Sequence, residues 1–218
     1  LLTIENLPDL NETITVPEDI FEELTAQDAS VAGFNPYEQP TVRDLLYGVL
    51  LPSGADACET LARAVGGSEE GFVAMMNQKA EELGLTNTHF ENCTGLHNDN
   101  HYSTCRDIAV LMSECLKSDT FREIVTREVY TTEATASHPE GITLYDTMLH
   151  RFTSYEMSTT LENGAVIEGG KTGFTDEAGQ CLVSFAEYGG EEYILVTAEA
   201  MTDSGSAVDS IADASTVY

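Results

Sequence analysis

The spacing of apolar residues orders the chain into a helical block followed by strands. From Val42 to Leu51 almost every position is apolar, with Thr41 in front and Asp44 in the first turn. A hydroxyl cap and an early acid are helix-start signals, so the pattern predicts a helix that Pro52-Ser53-Gly54 ends. A second helix is predicted from about Asp56 to Val65, stopping at Gly66-Gly67. Ser68-Glu69-Glu70 opens a third, with Phe72, Met75, Met76, Ala80 and Leu83 at helical spacing and Gly84 after them. Residues 85–102 lack periodicity and read as loop. Ser103 or Thr104 caps a fourth helix through Leu116, with Ile108, Leu111, Met112 and Cys115 facing inward. Ser118 or Asp119 caps a short fifth one from about Thr120 to Thr126.

The flanks are less regular. Residues 7–40 carry Pro8, Pro17, Pro36 and Pro40 among scattered acids and read as an irregular surface segment with short helical or strand pieces. Residues 127–164 are mixed, with β-leaning pieces at Glu128–Thr132 and Thr143–Leu144. Gln180–Tyr188 and Glu192–Ala198 are strand-like, and Gly189-Gly190 between them signals a tight hairpin. Residues from about Ser206 to Val217 read as a closing helix. Antiparallel strands joined by a short turn exclude a doubly wound parallel sheet at this end and indicate an α+β class. No repeat or low-complexity tract occurs, and the apolar runs are too short to span a bilayer. The chain opens at Leu1-Leu2-Thr3-Ile4 with no initiator Met, basic n-region or signal core. That opening reads like the end of a helix, which predicts a fragment or a processed piece.

Charge narrows the function classes. The 218 residues hold 38 acids and nine Lys or Arg, a formal net charge of −29. Nucleic-acid backbones and anionic lipid both need a basic surface, so neither is an expected partner. With 42% hydrophobic residues, nine Tyr and eight Phe, the chain is not an acidic disordered one either. The three lysines are Lys79, Lys117 and Lys171, and no cation follows Lys171. Cys58, Cys93, Cys105, Cys115 and Cys181 include no CxxC, and their odd number leaves at least one free thiol. A Cys93–Cys105 link and five separate small hydrophobes both remain open.

Three constellations carry possible chemistry. In Gly169-Gly170-Lys171-Thr172-Gly173 a phosphate loop is disfavoured, because Ala165 stands where that pattern requires Gly and strands follow instead of a helix. A Lys-Thr-Gly strand edge offers a fixed ammonium, a hydroxyl for a carboxylate and a small residue beside the backbone. A glycine-rich turn with a solvated lysine is the plain alternative. Ser53, between two predicted helices, is either a turn residue or a proton relay beside a nucleophile. Cys93, His97, His101 and Cys105 recur at every fourth position, but Gly95, Asn98, Asp99 and Asn100 disfavour the continuous helix a zinc set would need. No metal and no cofactor are expected.

Taken together, these segments resemble the low-molecular-mass penicillin-binding proteins, serine-type D-alanyl-D-alanine carboxypeptidases with the β-lactamase/transpeptidase-like fold. Thr41 to Ala57 resembles the stretch with that family's second motif, Ser-x-Asn, read here as Ser53-Gly54-Ala55. Asn77 to Leu83, Thr88-His89-Phe90, Gly95-Leu96 and His101-Tyr102-Ser103-Thr104 resemble its middle helices and loop. Gly170-Lys171-Thr172-Gly173-Phe174-Thr175, with Ala178-Gly179 following, resembles its third motif, and Leu1 to Thr15 the tail of the nucleophile helix and the segment after it. The match is ordered and covers nearly the whole chain.

The resemblance implies one catalytic domain over 1–218, mainly helical at 7–164 and an antiparallel sheet with a closing helix at 165–218. It implies that the first strands and the start of the nucleophile helix are missing from this chain; no Ser-x-x-Lys, the family's first motif, occurs in it. It implies removal of the terminal D-alanine from peptidoglycan pentapeptides through an acyl-enzyme, with β-lactams as inhibitors, at the outer face of a bacterial membrane. Ser53 would relay protons, Lys171 would supply charge and Thr172 would bind the terminal carboxylate. Gly173 and Thr175 would line the substrate, and the Phe174 N–H would give half of an oxyanion hole. A separate N-terminal fragment is a possible partner carrying Ser-x-x-Lys. Ala55 stands where the family often has Asn, and no Arg follows the last strand. The alternatives are a non-catalytic relative that binds peptidoglycan or a partner, and a β-lactamase or esterase on the same fold. Lys171 would form a local positive point within an acidic surface.

Overall fold

The computed structural model describes residues 1–200 and 209–218. Its elements run α1 (Leu2–Asn6), α2 (Ile20–Ala26), α3 (Val42–Leu50), α4 (Ala55–Gly66), α5 (Glu69–Glu82), α6 (Cys105–Cys115), α7 (Asp119–Val125), β1 (Val129–Thr131), β2 (Thr143–Tyr145), α8 (Leu149–Ser154), β3 (Val166–Thr175), β4 (Gly179–Tyr188), β5 (Glu191–Ala200) and α9 (Asp209–Val217). The predicted closing helix is present from Asp209; its first three positions lie outside the described residues. Two compact units result. One joins residues 1–102 to 129–146, the other residues 103–128 to 147–218.

Local chemistry starts the helices where the sequence suggests. Thr41 and Asp44 form a reciprocal capping box on α3, and the hydroxyls of Ser68, Thr104 and Ser118 cap α5, α6 and α7. Gly67 ends α4 at φ +76°, a left-handed value that glycine adopts without strain.

In the first unit, α3 packs on α4, and α4 also meets α1, α2 and α5. Leu45, Tyr47, Leu51, Ala57, Leu61 and Ala62 are buried there. Segment 7–40, expected to be surface, buries Val16, Ile20, Leu24, Ala32 and Phe34. Its helix α2 supplies two of these residues and lies against α4. The prolines break its regularity without removing its apolar anchors. The β1–β2 hairpin is fixed by the buried Asp44, whose Oδ1 accepts from the Tyr130 hydroxyl at 2.9 Å and the Glu133 N–H at 3.1 Å. The Tyr130 ring stacks on Tyr47 at 3.7 Å, and burial, then Asp44, holds its phenol pKa above the usual range.

In the second unit the sheet has the order β3-β4-β5 and is antiparallel throughout. A bulge interrupts the β3–β4 register between Ile167 and Gly169. Met148, Leu149, Phe152, Ile167, Leu182, Ala186, Ile211 and Ala214 form its core. Helix α8, which sequence periodicity does not reveal, contributes Leu149 and Phe152; it is too short to show an amphipathic repeat. Helices α6 and α7 group with this sheet, α6 against β5 and α7 against β3. Among the described residues, no helix is long and apolar enough to cross a membrane.

Candidate active site

In the first unit Ser53 sits in the turn between α3 and α4, half-buried, at φ +61°. A non-glycine residue in that region costs of order 1 kcal/mol or more and persists only where its surroundings enforce it. The enforcement is visible. The Gly54 N–H donates to the Gly48 carbonyl at 2.9 Å, and the Ala55 N–H to the Ser30 carbonyl at 2.8 Å. Asp56 is fully buried. Its Oδ1 accepts from the N–H groups of Ala32 at 2.7 Å and Ala57 at 3.0 Å. Its Oδ2 accepts from Gly33 and Phe34, each at 3.0 Å. One carboxylate at the start of α4 therefore holds the 32–34 loop against the Ser53 turn. Gly54 is required for this approach, since a Cβ there would sit 2.6 Å from the Ala32 Cβ and 2.8 Å from Asp56 Oδ1.

In the second unit Lys171, Thr172, Gly173 and Phe174 lie on β3, an edge strand among the described residues. The strand is buried at Gly169 and Gly170 and opens toward solvent at Gly173 and Phe174, the latter 68% exposed. Gly169 and Gly170 hold the buried half close to its neighbours. A Cβ on Gly169 would overlap the Val125 carbonyl, and one on Gly170 would overlap the Val183 carbonyl and lie 2.8 Å from Met148 Sδ. Gly173 is different: among the described residues, a Cβ there would meet only the Cys181 Cβ, at 3.8 Å. Lys171 Nζ donates to the Thr172 carbonyl at 2.9 Å, and the Thr172 and Thr147 hydroxyl oxygens are 2.6 Å apart. Thr175 Oγ1 accepts from the Ala178 N–H at 3.0 Å and so closes the β3–β4 turn.

A D-alanyl-D-alanine carboxypeptidase family profile matches residues 5–202. The chain belongs to this family. Among curated carboxypeptidases, DacF of Bacillus subtilis is 36% identical over 77% of this chain and 40% of its own length. The enzyme of Streptomyces strain K15 is 35% identical over 85% of this chain and 63% of its own length. This chain thus spans about half the length of such relatives. The Streptomyces K15 DD-transpeptidase structure superposes with a TM-score of 0.79 at 29% identity, covering all of this chain and 85% of that one. The Mycobacterium tuberculosis D-alanyl-D-alanine carboxypeptidase structure gives 0.76 at 26% identity, over 97% of this chain and 76% of that one. The α+β transpeptidase-like fold expected from the motifs is therefore the fold of this family member.

Within this carboxypeptidase-family chain, sequence reasoning overlooked Asp56 and Thr147. Asp56 stood next to a motif, but its partners lie 22 to 24 positions back. Thr147 carried no motif at all. Lys171 is the last cation in the chain, yet the unit around it is not otherwise free of cations. Arg122 lies over the Phe185 ring at 5.8 Å and pairs with Glu192 at 2.7 Å. The set Cys93, His97, His101 and Cys105 is not drawn together as ligands. His89 and Tyr102 bridge across the loop, and Cys93 turns instead to Glu59 and Glu69. None of the five cysteines is joined in a disulfide, so the Cys93–Cys105 link is not made. Burial, then the nearby Glu69 carboxylate, pushes Glu59 up to about 7, and burial likewise raises the Cys93 thiol.

Proposed function

We propose that this chain is the larger part of one serine-type D-alanyl-D-alanine carboxypeptidase domain that trims the terminal D-alanine from peptidoglycan stem peptides. The Lys171-Thr172-Gly173 edge of β3, opening to solvent at Phe174, carries the reading. In the reaction a serine hydroxyl attacks the peptide carbonyl between the two D-alanines. D-Alanine leaves with a proton, and water then hydrolyses the acyl-enzyme. Lys171 supplies positive charge, Thr172 holds the terminal carboxylate, and Gly173 leaves room beside the strand. The Phe174 N–H donates to the developing oxyanion, a bond whose removal costs roughly 100- to 1,000-fold in rate in such sites. Ser53, held by its strained turn, relays the proton. Thr175 lines the substrate next to Phe174, while its hydroxyl also accepts from the Ala178 N–H.

The nucleophile and its partner lysine, Ser-x-x-Lys, come from a segment outside these 218 residues, whether upstream in the same protein or on a separate fragment. The working place is extracytoplasmic, at the outer face of a bacterial membrane, and β-lactams acylate the same serine. A form of the protein that includes Ser-x-x-Lys is labelled by a fluorescent penicillin and releases D-alanine from a pentapeptide. Lys171→Ala abolishes both. Absence of labelling and release in the unsubstituted form overturns the reading, and labelling retained in the Lys171 variant overturns that residue's role. A second reading, a relative that binds peptidoglycan without chemistry, is favoured by Ala55. Its buried methyl, at the first residue of α4, offers no amide to a substrate or a catalytic lysine. Penicillin labelling without D-alanine release would instead favour the β-lactamase or esterase alternative.

A further inference from the structure

Within the first unit, two carboxyl groups and a thiol gather in one place. Glu59 comes from α4, Glu69 is the first residue of α5, and Cys93 lies in the loop that follows. One ligand atom from each lies within 4.8 Å of the others. The Cys93 N–H donates to Glu69 Oε1 at 3.1 Å, and Cys93 Sγ stands 3.5 Å from Glu59 Oε1. Glu59 is only 7% exposed, and its buried Oε2 has no hydrogen-bond partner among the described residues. Arg63 Nε approaches that oxygen at 3.6 Å, but the same guanidinium donates to Asp19 at 2.6 Å. A buried carboxylate is costly unless it is paired and fully hydrogen-bonded. Here one shared guanidinium faces several acids.

We propose that Glu59, Glu69 and Cys93 form a binding site for a zinc-class divalent cation. Thiolate and carboxylate oxygen are both accepted zinc ligands, whereas the sulfur disfavours magnesium and calcium. The geometry agrees. Zinc–sulfur and zinc–oxygen bonds of about 2.3 and 2.1 Å at the tetrahedral angle set the S···O edge at about 3.6 Å. The Sγ–Oε1 separation of 3.5 Å is already that edge. The supports are rigid. A Cβ on Gly66 would overlap the Phe72 backbone nitrogen, so α4 and α5 meet closely at the turn that joins them. Asn92 clamps the loop at Cys93, accepting from the Gly95 N–H at 2.7 Å and donating to the Leu96 carbonyl at 2.8 Å. Three protein ligands leave a fourth position for solvent. Binding displaces the thiol proton and ties α4, α5 and the loop together, a structural role independent of the proposed peptidase chemistry.

The test is titration of the chelator-treated chain with Zn²⁺ by calorimetry, with Co²⁺ absorption as a second measurement. One equivalent is expected to bind, raising the melting temperature, and Co²⁺ is expected to show thiolate charge-transfer absorption. Cys93→Ser and Glu69→Gln should each weaken Zn²⁺ at least 10-fold, and Cys93→Ser should abolish the thiolate band. Cys105→Ser should change neither. If Cys93→Ser does not fold by circular dichroism, Glu69→Gln and the Co²⁺ spectrum of the unsubstituted chain decide. No binding, binding that survives both substitutions, or Co²⁺ absorption without a thiolate band overturns the site.

Discussion

Asp56→Asn isolates the contact that holds the Ser53 turn. The substitution keeps shape and volume but converts one of two acceptor oxygens into an N–H donor. In the native chain Oδ1 and Oδ2 each accept from two backbone N–H groups, at 2.7 to 3.0 Å. An asparagine keeps two of these bonds and turns an NH₂ group toward the other two donors. A buried N–H left without an acceptor costs roughly 1–3 kcal/mol, and the exposed Gly33 N–H less, so the loss is about 2–4 kcal/mol. Against a typical domain stability of roughly 5–15 kcal/mol that is a large fraction. Urea denaturation at pH 7, followed by circular dichroism and extrapolated linearly, measures it. Hydrogen exchange at the Ala32, Gly33 and Phe34 amides supplies the local readout, with faster exchange expected there. Asp99→Asn serves as control, because Asp99 is almost fully exposed. A loss under about 1 kcal/mol for Asp56→Asn, with exchange at these three amides unchanged, would refute the argument.

Three further outcomes follow from the same geometry. Gly170→Ala forces a methyl onto the Val183 carbonyl and should destabilise by roughly 1–3 kcal/mol, whereas Gly173→Ala, with its nearest neighbour at 3.8 Å, should be close to neutral in stability; equal melting shifts would contradict this. In a penicillin-reactive form, Thr147→Val removes the hydroxyl 2.6 Å from that of Thr172 and should slow acylation roughly 5-fold, the equivalent of one hydrogen bond of about 1 kcal/mol, while Thr147→Ser retains the rate. In metal-free protein, Glu59 titrates near 7 rather than at its ordinary 4.5, because burial and then Glu69 disfavour its charge. A raised acid stabilises the fold only while protonated, so that contribution is lost as pH rises from about 4.5 through 7. Glu59→Gln, which stays neutral, should therefore match wild type near pH 4.5 and gain on it progressively as pH rises through 7; a difference independent of pH would exclude the mechanism.

What the sequence determined by itself was local. The caps at Thr41, Ser68, Thr104 and Ser118 act on N–H groups three residues ahead, so their helices were legible from a few letters. The β4–β5 hairpin was legible for the same reason, since Gly189 and Gly190 adopt φ +63° and +84° within the turn itself. The ordered motifs around Ser53 and Lys171 named the family and its fold. Tertiary structure decided what depends on distant partners. Asp56 reaches back to the 32–34 loop, Cys93 lies 34 positions from Glu59, and Thr147 meets Thr172 across 25. Segment 7–40 looked like surface because prolines hid its periodicity, yet it buries Val16 and Phe34. Helices α6 and α7 read as part of the helical block, but they group with the sheet, α6 meeting β5 and α7 meeting β3. Periodicity reports which face of an element is apolar; only packing decides which element covers that face, because hydrophobic burial has no directional preference of its own.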